Sequence, residues 1–161
     1  MGERPAVNAP ALLIVCLGNI CRSPVVAEVL RTRFAQAGCP LRVDSCGTGD
    51  WHAGKPADAR MIEAARMAGY DLSAHRARQL EVGDFARFDG VLAMDRSNLT
   101  DLGARCPAHL RERVGLFLSA AGLDDLAEVP DPYHGDAGDF RHVIALAERG
   151  AQGLLGRYRR A

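Results

Sequence analysis

An apolar run from Leu12 to Cys16 passes, across a turn holding Gly18 and Asn19, into a helical pattern that opens on Ser23 and Pro24. A strand that feeds directly into a helix start commits the chain to a strand–helix unit, and the same alternation continues downstream. Strand candidates fall at 11–16, 41–46, 90–94 and 113–116, each short and bounded by Gly, Pro or Asp. Helical periodicity marks 24–37, 57–68, 97–102 and 140–159. Strands alternating with helices build a parallel sheet covered on both faces. The expected fold is therefore a single α/β domain, a short four-stranded parallel sheet with helices on both faces, Rossmann-like in its layering. At 161 residues the chain is long enough to bury one proper core. No repeat or linker divides it, so the domain is drawn over 11–161, with the polar, proline-containing residues 1–10 as a flexible N-terminal segment.

In such sheets ligands gather at the carboxyl ends of strands, where Cys16 falls. A turn ending at a helix N-terminus aims unpaired N–H groups and the positive end of the helix dipole at one spot, which suits phosphate. Leu17, Gly18, Asn19, Ile20, Cys21, Arg22 and Ser23 would form that cradle. Gly18 and Asn19 tolerate positive φ, Ser23 reads as the N-cap, and Pro24 as the first helical residue. The dipole and Arg22 both favour a thiolate at Cys16. Arg22 also offers a planar fork of donors that matches two phosphoryl oxygens. Taken alone, a cysteine ending an apolar strand is more often a small buried hydrophobe. Cys16 and Cys21 lack the second pair that a zinc site needs, and the Gly-Lys-Ser/Thr ending of a nucleotide loop is missing. The joint register of Cys, Gly-Asn, Cys, Arg, Ser and Pro points to attack on phosphorus, with no metal or cofactor required.

A second chemical element lies at Val129-Pro130-Asp131-Pro132-Tyr133. The proline after Asp131 biases it toward an extended backbone on a stiff loop, which helps an acid that must meet a leaving oxygen. By itself Asp-Pro is a common turn starter; its meaning comes from the pairing with the cysteine loop.

Val15 to Pro24, together with Asp131-Pro132-Tyr133, resembles the low-molecular-weight protein tyrosine phosphatases. The resemblance implies that Cys16 is the nucleophile, that Arg22 binds the phosphoryl group, and that Asp131 is first acid and then base. Burial beside the negatively charged site would keep Asp131 protonated. Substrates would be tyrosine-phosphorylated proteins and the product inorganic phosphate. Trp51 would rim the cleft and stack on the phosphotyrosine ring, with Tyr133 as a wall and His134 where many relatives carry a second tyrosine. Ser45 and His75 would support the loop through Asn19, and the Ser23 hydroxyl would donate to the Cys16 sulfur. Asp95 matches a family segment and reads as an N-cap. Cys21 is open between a redox partner for Cys16 and a packing residue. Cys46 stands where relatives more often carry alanine, and no redox role is drawn from it.

Three rivals share the loop. Arsenate reductases of similar sequence relay electrons through two further cysteines about seven residues apart, whereas Cys106 stands alone here. Protein arginine phosphatases usually carry Thr at the position of Ile20. A non-catalytic phosphate-binding module would need neither Cys16 nor Asp131. A formal charge of +0 gives no electrostatic footprint for nucleic acid. The apolar run is too short for a signal or membrane span. An odd count of 5 cysteines without secretory context reads as reduced thiols, so the expected compartment is the cytoplasm.

Overall fold

β1 (Ala11–Cys16) is buried along its whole length, as a near-continuous apolar strand must be when both faces of its sheet are covered. Its side chains alternate between two cores: Leu12, Ile14 and Cys16 enter one, Leu13 and Val15 the other. β2 (Arg42–Gly47) and β3 (Gly90–Ala93) pair with β1 on either side, and β4 (Val114–Leu116) pairs with β3. All pairs are parallel, in the order β2-β1-β3-β4. The chain leaves β1 toward β2 and later crosses to β3 on the other side. The carboxyl ends of β1 and β3 therefore flank the switch point at which parallel sheets hold their ligands.

The structure, a computed structural model, describes residues 9–160. Its helices are α1 (Arg22–Gln36), α2 (Ala59–Ala68), α3 (Asp84–Arg87), α4 (Arg96–Arg105), α5 (Phe117–Ala120) and α6 (Ala137–Arg160), with a 3-10 turn at Ala108–Arg113. Buried residues of α1, α2, α5 and α6 share the core that contains Cys16. Phe85 of α3, Leu102 of α4 and Leu110 pack on the opposite face with Cys46 and Cys106.

The sheet and its covering helices match the sequence expectation; several boundaries move for identifiable reasons. β2 runs one residue later at each end than expected, and β3 and β4 each end up one residue shorter. α1 begins at Arg22, and Cys21 holds the N-cap position without a side-chain cap bond. Ser23 is therefore not the N-cap, because its hydroxyl is engaged by the cysteine loop. α2 starts at Ala59 because Asp58 accepts from the Arg60 N–H at 2.8 Å. α6 starts at Ala137 because Asp136 and Asp139 cap each other, N–H to carboxylate, at 2.8 and 3.1 Å. The short α3, α5 and 3-10 turn carry too few residues for any period to show. Of the segment 1–10, residues 1–8 lie outside those described. Ala9 is buried, and the Pro10 carbonyl accepts from the Arg42 N–H at 2.8 Å.

Candidate active site

Asn19 organises the loop that follows β1. It is fully buried at φ 58°, in the left-handed region that asparagine tolerates better than most residues. All its polar groups are used. Its N–H donates to Cys16 Sγ at 3.3 Å, and its Nδ2 donates to Ser23 Oγ at 2.8 Å and Ser45 Oγ at 2.9 Å. Its Oδ1 accepts from the Arg78 N–H at 2.9 Å, and its carbonyl accepts from His75 Nε2 at 2.7 Å. In that last bond His75 donates through its Nε2–H; burial lowers the His75 pKa, although the bond to the Asn19 carbonyl works the other way. Gly18, expected at positive φ, does not adopt it. Its lack of a side chain matters for another reason: a Cβ there would lie 2.8 Å from the ring of His52. Gly47 allows a similar approach, since a Cβ would lie 2.7 Å from the Leu17 carbonyl oxygen.

Cys16 lies at the bottom of this loop, 3% exposed, with its Sγ 2.9 Å from Ser23 Oγ. A thiolate only accepts, so against the ionised sulfur Ser23 is the donor, while its lone pair takes the Asn19 amide. Among the described residues no protein group accepts from the N–H of Gly18, Ile20 or Cys21. Together with the uncapped start of α1, these unused donors suit an anion.

Arg22, also 3% exposed, spans the switch point. Its guanidinium donates to Asp95 Oδ2, just beyond β3, at 2.7 Å and to the Val129 carbonyl at 3.1 Å. Its other terminal nitrogen lies 3.9 Å from Asp131 Oδ2. Burial alone would lower the Arg22 pKa, but Cys16, Asp95 and Asp131 reverse this and raise it. Asp95 also caps α4, accepting from the Asn98 N–H at 2.8 Å. The capping role expected from sequence is thus present, and the pairing with Arg22 was missed. A carboxylate at the end of the strand beside β1 was the available signal.

A cleft of 370 Å³ opens over the loop, walled by Leu17, Ile20, Trp51, Tyr133 and His134, with Asp131 at its side. Trp51 is 61% exposed at the rim, as a stacking residue would be. His52 also lines the cleft and was not singled out by sequence; its adjacency to Trp51 was the only hint. Asp131 is not buried as expected: its side chain keeps 51% exposure. Its Oδ1 instead accepts from the Tyr133 N–H at 3.1 Å, which orients the carboxylate. Arg60, again unforeseen, holds the Tyr133 carbonyl at 2.9 Å and is itself forked on Asp58. The Asp58 N–H in turn donates to the Ile20 carbonyl at 2.8 Å, so the start of α2 ties the acid loop to the cysteine loop.

Cys21 lines the same cleft. Burial first, then the charges of Asp58, Cys16 and Asp131, push its thiol up to about 12, so it is protonated at neutral pH. Cys46, buried on the opposite face of the sheet, is likewise pushed up, mainly by burial. All five cysteines are free. Among the described residues no three His, Cys, Asp or Glu side chains are grouped as a metal site would need.

An anion-binding loop closed on a cysteine, at the switch point of a parallel sheet, is the layout of a cysteine-based phosphate-binding protein. Residues 11–161 match the family described as low molecular weight phosphotyrosine protein phosphatase. The low molecular weight phosphotyrosine protein phosphatase of Schizosaccharomyces pombe is 42% identical over 132 residues, 80% of this chain and 84% of that one. The low molecular weight protein-tyrosine-phosphatase of Streptomyces coelicolor is 40% identical over 147 residues, 88% of each chain. The crystal structure of a protein tyrosine phosphatase from Entamoeba histolytica is similar with a TM-score of 0.89 at 32% identity, covering 94% of this chain and 98% of that one. The chain belongs to the low molecular weight phosphotyrosine protein phosphatase family.

Proposed function

We propose that the chain hydrolyses phosphotyrosine in proteins by two displacements at Cys16. The phosphoryl oxygens meet the N–H groups of Gly18, Ile20 and Cys21 and the fork of Arg22, where transition-state charge develops. The Cys16 thiolate attacks in line, and a sulfur–phosphorus bond forms as the bond to the tyrosyl oxygen breaks. Asp131 gives that oxygen its proton. The Asp131 carboxylate then takes a proton from water, which attacks phosphorus and releases inorganic phosphate. Ser23 donates to the sulfur as it leaves.

One observation carries this reading. Cys16 Sγ is held 2.9 Å from Ser23 Oγ and 3.3 Å from the Asn19 N–H, while Arg22 and Asp131 reach the same cleft. A binding module would need the donors but neither nucleophile nor acid. Ile20, Trp51 and Tyr133 give the cleft apolar walls that suit an aryl ring better than a guanidinium. An arsenate reductase relay has no support from Cys46 and Cys106, which pack on the far side of the sheet from Cys16. Free cysteines, the nucleophile among them, fit a reducing compartment such as the cytoplasm. No helix of the described residues is long and apolar enough to cross a membrane.

The test is a panel of aryl phosphate, phosphotyrosine, phosphoserine and phosphoarginine substrates, with arsenate reduction alongside. Aryl phosphate and phosphotyrosine should turn over at least about 100-fold faster than the others, and Cys16→Ser should abolish turnover with the fold intact. Undiminished hydrolysis by Cys16→Ser would sink the mechanism. Asp131→Ala should slow poor leaving groups more than good ones, and equal losses would remove Asp131 from the acid role.

A further inference from the structure

Beside the acid loop, α2 and the start of α6 leave a groove of 530 Å³ whose walls include Ala59, Ala64, Met67 and Phe140. Met67 is 75% exposed there, a flexible thioether suited to varied apolar partners. Of the four charged side chains that line the groove, three are already engaged, while Arg141 is exposed at the rim. Arg60 is forked on Asp58 and donates to the Tyr133 carbonyl, Glu63 is paired with Arg66, and Asp136 is held in the cap of α6. What the groove offers an occupant is therefore mainly apolar surface, with Arg141 as the one exposed charge at its edge.

A single side chain, Arg60, stands between the groove and the cleft. The Arg60 guanidinium lies 5.2 Å from the ring centroid of Tyr133, on the cleft wall, and 4.7 Å from that of Phe140, in the groove. The two rings are thus about 10 Å apart at most, a span that an extended polypeptide, advancing ~3.4 Å per residue, covers in about three residues.

We propose that this groove is a second subsite of the enzyme, which takes an apolar side chain of the phosphorylated polypeptide about three residues from its phosphotyrosine. It rests on the phosphotyrosine phosphatase reading and adds what that reading lacks, a means of choosing among phosphoproteins. Small aryl phosphates do not extend to the groove and are indifferent to it.

Steady-state kinetics on phosphotyrosine peptides test this, with Leu or Asp scanned two to four positions to either side and para-nitrophenyl phosphate as the control. At one of these positions Leu should lower KM about fivefold relative to Asp, because buried apolar area is partly offset by the ordering of the peptide. Met67→Asp and Ala64→Arg should each erase that preference. Their rates on para-nitrophenyl phosphate and their melting temperatures should stay at wild-type values. A wild type without the preference, or a preference surviving both variants, overturns the subsite. So does sedimentation showing that the wild type pairs through this groove and that Met67→Asp separates the copies. Failure of the wild type to hydrolyse para-nitrophenyl phosphate would overturn the phosphatase reading itself, and the subsite with it.

Discussion

Asn19 and Ser23 show how far a single side chain can matter in this site. Asn19 satisfies five hydrogen-bonding positions while buried at positive φ, and loss of its side chain would strand Ser23, Ser45 and the Arg78 N–H at once. Ser23 is more specific, because its hydroxyl faces the sulfur that must depart in the second displacement. A hydrogen bond to a charged group contributes about 1.5–3 kcal/mol, so Ser23→Ala should slow breakdown of the phosphocysteine about ten- to a hundredfold. Stopped-flow assays of the variant should then show a burst of aryl alcohol followed by a slow phase independent of the leaving group. A variant with no burst would limit Ser23 to holding Asn19. Cys21 bears a separate expectation. Peroxide would oxidise Cys16 to a sulfenic acid, which condenses with the Cys21 thiol to a disulfide and water. Wild-type activity should return with dithiothreitol after peroxide, and Cys21→Ser should recover little; equal recovery would leave Cys21 a packing residue.

At the scale of elements, β1, β3 and the acid loop meet through Arg22 and Asp95. Asp95 both caps α4 and holds Arg22, and two substitutions separate these functions. Asn caps a helix about as well as Asp, whereas Ala loses about 1 kcal/mol there. Asp95→Asn and Asp95→Ala should therefore lose similar activity, about tenfold or more in kcat/KM, since neither supplies the charged partner of Arg22. Asp95→Asn should remain the more stable of the two in urea. If Asp95→Asn keeps full activity, Arg22 is oriented by the Val129 carbonyl and its other neighbours. The sheet, its longer helices and the cysteine loop were legible in sequence because each rests on local signals: short apolar runs, helical periodicity, a Gly-Asn turn, Ser-Pro at a helix start. Where long-range partners compete for the same atoms, local signals mislead. Ser-Pro marks the right turn of α1, yet the Ser23 hydroxyl is taken by Asn19 and Cys16 and so is lost to capping. The Arg22–Asp95 pair joins residues 73 apart, and the only signal for it was the place of Asp95 at the end of the strand beside β1. The exposure of Asp131 follows from how far neighbouring loops stand from it, which its flanking prolines do not encode.

Across the whole molecule, polar clusters tie the helices together on one face of the sheet and hold the cysteine loop on the other. On one face Arg33 of α1, Tyr70 after α2 and Glu148 of α6 form a hydrogen-bonded triad that locks three helices together. On the other face Arg78, whose N–H holds Asn19, anchors its guanidinium on Asp84, 1% exposed at the start of α3. Burial alone would raise the Asp84 pKa. Hydrogen bonds from Arg78 and the Glu81 N–H, with the charges of Arg78 and Arg87, outweigh it and hold the carboxyl below its ordinary value. Because folding lowers this pKa, the ionised carboxylate stabilises the fold above the unfolded value near about 4, and the contribution fades as pH falls through the folded value. Asp84→Asn should cost about 2 kcal/mol at neutral pH, lowering Tm by roughly 4–8 °C, and should weaken kcat/KM through the loosened Arg78. Urea unfolding of both proteins from neutral pH down through about 3.5 checks the cause. The stability gap between wild type and Asp84→Asn should be widest at neutral pH and narrow toward the acid end, as the wild-type carboxyl itself becomes neutral. A gap that stays constant across the series would assign the loss to altered packing and leave the Asp84 charge without a part in holding the active-site loop.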